Sequence, residues 1–144
     1  MVDRQVIDAV RAALGDQVRR ILVTGGTGFI GSRAAWLLAE TGQSVTIVGR
    51  NRYRLGRFFR PELNFAACDI RDPRATDCVC DGQDIIVHAA ALSSPWGSWD
   101  AFRVSNVEGT RNVVEACRRR PEVRLVYISS TAIHFEFRDK LDVM

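Results

Sequence analysis

Two short stretches hold residue types that could do chemistry. The first, Val23–Gly31, reads VTGGTGFIG. Its glycines satisfy G-x-G-x-x-G as Gly26, Gly28 and Gly31, or G-x-x-G-x-x-G as Gly25, Gly28 and Gly31. Either spacing provides a tight turn at its first glycine, a point at Gly28 where bare backbone can approach a pyrophosphate, and close packing of helix on strand at Gly31. An apolar run precedes the glycines and a helical pattern follows, which is the context a dinucleotide-binding turn requires. N–H groups at a helix start, with the positive end of the helix dipole, favour phosphate. The second stretch, Leu125–Phe135, reads LVYISSTAIHF, an apolar run that ends in Ser129, Ser130 and Thr131.

The elements that must position these stretches follow from periodicity and punctuation. Val6, Ile7, Val10, Ala13 and Leu14 recur at helical spacing and Gly15 stops them, so residues 1–18 form a helical extension. Strands are expected at Arg20–Val23, Ser44–Val48, Leu63–Ala67, Asp84–His88 and Val123–Ile128. Helices fall between them: one through Ala34–Leu38 that Gly42 ends, and one opened by Asp72-Pro73 that closes near Gly82. A long third helix runs from about Ser98 to Arg119, before Pro121. The strands are nearly continuous apolar runs, which indicates a parallel sheet covered on both faces. Right-handed crossovers then give an α/β, Rossmann-like doubly wound sheet of about five strands in the order 3-2-1-4-5, a single domain over residues 19–144.

Composition narrows the function. The net charge is only +3, and of 20 basic residues Lys140 alone is a lysine. Arginines cluster at Arg50, Arg52, Arg54, Arg57 and Arg60 and again at Arg118, Arg119 and Arg120. No nucleic-acid motif accompanies them, and the second cluster suits a helix C-terminus, so no nucleic-acid partner is expected. Cys68, Cys78, Cys80 and Cys117 lack metal-ligand spacing and read as buried thiols of a reducing compartment; no metal site is expected. No apolar run is long enough for a membrane span and no secretory signal opens the chain, so the expected location is cytoplasmic.

With the glycine turn in place, TGGTGFIG resembles the cofactor loop of extended short-chain dehydrogenases/reductases, the group of NAD(P)-dependent epimerases, dehydratases and 3β-hydroxysteroid dehydrogenase-like enzymes. Other matches follow in order: CDIRD with Asp69 and Ile70, HAA at His88–Ala90, SNVEGTRNVVEAC with Asn106, Gly109 and Thr110, and YISST on the last strand. Together they cover residues 19 to about 135. The resemblance implies a cofactor site built from Gly25, Gly28, Phe29, Ile30 and Gly31 around the pyrophosphate. It implies Asp69 and Ile70 against adenine, Ala89, Ala90 and Ala91 at the strand-four end that lines the ribose, and Asn106 of the N-V-x-G-T helix as a further cofactor-binding residue.

An acid at the end of the second strand normally binds the adenosine ribose diol and selects NAD. Here the strand runs out as Gly49, Arg50, Asn51, Arg52, without a carboxylate. A guanidinium suits a 2′-phosphate, so NADP(H) is favoured, with Arg50 leading and Asn51 or Arg52 supporting; NAD(H) is the second candidate.

In the resembled family a Ser or Thr ending strand five binds the substrate oxygen. A Tyr acts as general acid/base, and a Lys four residues on lowers its pKa. Alignment gives Ser130 as the hydroxyl, with Thr131 as the alternative. The tyrosines, Tyr53 and Tyr127, have no lysine four residues later, so the dyad is absent. SPWGSW, with Trp96 and Trp99, is nearer the 3β-hydroxysteroid dehydrogenase-like branch and could line a substrate entrance. The expected function is therefore the dinucleotide-binding part of an NAD(P)-dependent epimerase/dehydratase or reductase, which binds cofactor without turnover. A small-molecule substrate would join only in a full-length context, and the last strand would be an edge that a C-terminal segment or a second copy covers. The competing expectation is a non-catalytic NADP(H)-sensing regulator of the same fold.

Overall fold

The computed structural model describes residues 4–52 and 61–130. Helix α1 (Arg4–Leu14) is followed by β1 (Arg20–Thr24), α2 (Phe29–Glu40), β2 (Ser44–Gly49), β3 (Leu63–Ala67), α3 (Pro73–Cys80) and β4 (Ile85–His88). A helical stretch then runs through α4 (Trp99–Phe102), a π-helical segment Arg103–Glu108 and α5 (Gly109–Arg118), before β5 (Arg124–Tyr127). All pairings are parallel and the strand order is β3-β2-β1-β4-β5, as the alternating pattern implies.

Side chains alternate across this sheet and build two cores. Ile21, Val23, Val45, Ile47, Leu63, Ile85 and Val87 face α2, with Leu14 of α1 packed against the same cluster. Leu22, Val48, Cys68, Ile86, Val113 and Ala116 face the layer of α3 and α5. Each fully buried Val, Ile or Leu contributes about 1.5–3 kcal/mol as an upper figure, so the central strands hold the sheet rigid.

Local chemistry explains the boundaries. Gly15 ends α1 with φ +76°, its N–H donating to the Arg11 carbonyl at 3.0 Å. Asp72 caps α3, its Oδ1 accepting from the N–H groups of Arg74 (2.9 Å) and Ala75 (3.1 Å), and Pro73 occupies the first turn. At the base of the sheet Asp84 accepts from the Arg20 N–H at 2.6 Å, tying β4 to β1. The long helix differs from expectation in carrying a π-helical segment, where one turn is widened. The cysteines differ as well: Cys68 and Cys80 are buried and Cys117 half-buried, but Cys78 is exposed. Among the described residues no helix is long and apolar enough to cross a membrane.

Candidate functional site

Parallel register sends the segments that leave the strands to one edge. Thr24 lies opposite Val48 and His88, and His88 lies opposite Tyr127. The chain therefore emerges at Gly25, Arg50, Ala89 and Ile128 along the same rim. β1 sits between β2 and β4, where the winding reverses, and such a switch point opens a crevice. A cavity of about 390 Å³ lies there, bounded by Gly25, Gly28, Arg50, Asp69–Arg71 and Ala89–Leu92.

The glycine turn forms one wall. Gly25 has φ +67°, and a Cβ on it would stand 2.7 Å from the Cα and N of Ala90. That position therefore needs glycine both for its conformation and for the approach of the facing wall. Gly26 fits against Ile47, where an added Cβ would be 1.5 Å from Cγ2, so its demand is packing. At Gly31 an added Cβ would meet the Gly25 carbonyl oxygen at 2.3 Å, another packing demand. Gly28 differs from both, since a Cβ there meets only the Gly25 oxygen, at 3.2 Å. It is the N-cap of α2, with ordinary extended backbone and no side-chain cap.

The first-turn N–H groups of α2, on Phe29, Ile30 and Gly31, belong to the donors that helix geometry leaves without intrahelical partners. The side chains of Phe29 and Ile30 point away from the cavity: they are 74% and 56% exposed, and Arg33 lies over the Phe29 ring at 3.7 Å. Contrast with α3 is direct, since there a carboxylate already occupies the helix start.

The opposite wall is charged. Asp69 Oδ2 accepts from Arg71 Nη2 at 2.6 Å, Arg71 Nε lies 3.0 Å from both carboxylate oxygens, and Oδ1 also accepts from the Arg71 N–H at 3.1 Å. The Arg71 hydrogen bonds hold the Asp69 carboxyl below the usual carboxylate range. Arg71 was not picked out by the motif, because its role depends on a pairing that appears only once the loop is folded. Arg50 lines the cavity and adds favourable charge near Asp69, yet among the described residues it makes no hydrogen bond or ion pair. Asn51 follows it on the surface, outside the cavity lining. Ile70 lines the cavity between Asp69 and Arg71 and packs on the α5 face.

Ala89, Ala90 and Ala91 line the cavity through the loop after β4. Asn106 does not reach the lining. Its Oδ1 accepts from the Leu92 N–H at 2.7 Å and its Nδ2 donates to the Leu92 carbonyl at 3.1 Å. The amide is spent on holding the loop, and Leu92 is what reaches the cavity. Beneath the loop His88 is 1% exposed, and burial pushes its pKa down to about 4. Its Nδ1 lies 2.6 Å from Thr24 Oγ1 and its Nε2 lies 2.9 Å from Thr110 Oγ1.

β5 continues one step past its last pair, with the Ile128 N–H donating to the His88 carbonyl at 3.0 Å. Ser130 follows on the same rim, exposed and outside the cavity lining. Thr131 lies outside the described residues, as do Tyr53 and Lys140. Val126, Tyr127 and Ile128 are exposed on this edge strand.

Comparison with known proteins fits this geometry. A model of the NAD dependent epimerase/dehydratase family matches residues 21–136. The chain is 37% identical over 119 residues to 2-alkyl-3-oxoalkanoate reductase of Stenotrophomonas maltophilia, covering 79% of this chain and 34% of that protein. Epimerase Mth375 of Methanothermobacter thermautotrophicus superposes with a TM-score of 0.80 at 25% identity, over 98% of this chain and 43% of its own. The Bordetella bronchiseptica enzyme WbmH, solved in complex with NAD+, gives a TM-score of 0.68 at 29% identity, over 77% of this chain and 38% of that one. The chain thus spans about a third of the length of the curated relative it matches. With the sheet order, the glycine turn at its switch point and a family match over most of its length, the chain belongs to the NAD dependent epimerase/dehydratase family.

Proposed function

We propose that residues 19–144 form the dinucleotide-binding part of an NAD(P)-dependent epimerase/dehydratase or reductase, with NADP(H) as the preferred cofactor. The observation that carries this reading is the wall at Gly28. Its missing side chain faces the cavity rather than the fold, and the N–H groups opening α2 have no carboxylate cap. A bare backbone cradle at a helix start is what a pyrophosphate requires.

In this reading Gly25, Gly28 and the α2 amides hold the pyrophosphate, Asp69 and Ile70 border the adenine, and Ala89–Ala91 face the nicotinamide-side ribose. Arg50, whose charge is unanswered by hydrogen bond or ion pair among the described residues, takes the 2′-phosphate. When bound, the nicotinamide supplies or accepts a hydride at an alcohol or carbonyl carbon. Ser130, on the same rim, would donate a hydrogen bond to that substrate oxygen. Free thiols such as these four persist in the cytoplasm, where we place the protein.

Replacing Gly28 with Val tests the reading. A branched side chain there should abolish dinucleotide binding while circular dichroism and thermal melting stay close to those of the parent chain. Undiminished affinity in a folded Gly28→Val protein would remove the site from this wall.

A further inference from the structure

A deeply buried imidazole lies directly beneath the cavity and takes no part in the reading above. His88 ends β4, Thr24 ends β1 and Thr110 lies in the first turn of α5, so three separate elements meet at one imidazole. Thr24 is 1% exposed, like His88 itself. Tyr127 of β5 stacks on the ring, centroids 5.6 Å apart and planes 22° from parallel. Burial this deep costs free energy unless every polar atom is paired, so each proton must have a definite place.

The partners fix where the protons sit. Thr24 Oγ1 accepts from the Ala90 N–H at 3.3 Å, and its other neighbour is His88 Nδ1. Were Nδ1 protonated, the hydroxyl would accept twice and its own proton would have no acceptor in a sealed site. The Thr24 hydroxyl therefore donates to Nδ1. The ring proton is then on Nε2 and donates to Thr110 Oγ1, whose own proton has other outlets because Thr110 is half-buried. Donors point one way along the chain Ala90 N–H, Thr24 hydroxyl, His88, Thr110, which lets each bond polarise the next. Burial alone, with no charged neighbour, disfavours the imidazolium, in keeping with a neutral ring.

The end of this chain matters most. Ala90 is the residue whose N and Cα stand where a Cβ on Gly25 would be, 2.7 Å away. The position of the Ala90 amide therefore sets the gap between the glycine turn and the loop after β4. We propose that His88 is a positioning residue: as the Nε2-protonated tautomer it orients the Thr24 hydroxyl, which pins the Ala90 amide and so fixes the spacing of the two cavity walls. This rests on the reading of the cavity as a dinucleotide site, but its core can be tested without a ligand.

The test uses the whole 144-residue chain, ¹⁵N-labelled, at pH 7. A His134→Gln background leaves His88 as the single imidazole signal. The expected spectrum shows Nε2 carrying the proton and Nδ1 bare. Thr24→Val should raise hydrogen exchange at the Ala90 amide at least tenfold and weaken dinucleotide binding roughly tenfold, as loss of a buried hydrogen bond implies. Thr24→Ser should restore both. An Nδ1-protonated ring, or an Ala90 amide equally protected in a folded Thr24→Val protein, overturns the proposal. If the parent chain binds no dinucleotide, the functional reading fails, while tautomer and amide exchange still decide the role of His88.

Discussion

Arg50 and Arg71 both lie on the cavity wall, but Arg71 has its charge answered by the two oxygens of Asp69. A second anion gains little from a guanidinium already in a fork with a carboxylate, whereas Arg50 keeps its donors available. Arg50→Ala should therefore weaken NADP(H) roughly tenfold or more and leave NAD(H) nearly unchanged, by parallel titration. Equal losses would assign the arginine to the adenine instead. His88 makes a different prediction, about stability. Its native ring stays neutral down to about pH 4, while the unfolded ring takes up a proton below its ordinary 6.5. The unfolded chain thus binds more protons in that window, and stability present above pH 6.5 is lost as pH falls towards 4, by about 3 kcal/mol in all. Asp69 and Asp84, held below 3.8 by their arginine partners, add their loss only at lower pH. Urea unfolding at pH 7 and pH 4.5 measures this, and a pH-independent midpoint would mean that the native ring titrates normally.

Among the helices, the starts of α2 and α3 show how one kind of terminus serves two ends. α3 spends its free amides on the Asp72 carboxylate, whereas α2 begins on a glycine and leaves them to the cavity. The far ends of α3 and α5 are clamped by Arg120, which donates to Asp77 Oδ1 at 2.6 Å, to the Asp77 carbonyl at 3.1 Å and to the Ala116 carbonyl at 2.9 Å. Arg118 merely meets Glu115 on an exposed face. Arg120→Met should lower Tm by roughly 5 °C and Arg118→Met by at most about 1 °C, since exposed pairs contribute little. Similar shifts for both would dissolve the clamp. The Asp72-Pro73 cap, the Gly15 stop and the five strands were all legible, because propensity, capping and apolar runs are local. What escaped was relational. Asn106 was matched as part of a motif, but its clamp on Leu92 joins residues whose facing depends on a π-helical turn. The Thr24–His88–Thr110 chain draws one residue from each of three elements, a juxtaposition no periodicity announces.

On the scale of the whole molecule, register is what turns separate motifs into a site. Parallel strands of matched length bring the glycine turn, Arg50, the Asp69 loop and Ala89–Leu92 to one rim, with Ser130 beside them. The resemblance to extended reductases anticipated this rim, and the glycine spacing anticipated Gly28 as the point of backbone approach and Gly31 as a packing position. It left Gly25 and Gly26 as alternatives for the turn, and the fold gives the turn to Gly25 at φ +67° and packs Gly26 on Ile47. The central claim is that the rim binds a nicotinamide dinucleotide, the phosphorylated form above all. Calorimetric titration of the 144-residue chain with NADPH and NADH in parallel tests it most directly. Saturable binding of both, with NADPH the tighter by about tenfold or more, is the predicted result. Failure of a folded chain to bind either would contradict it.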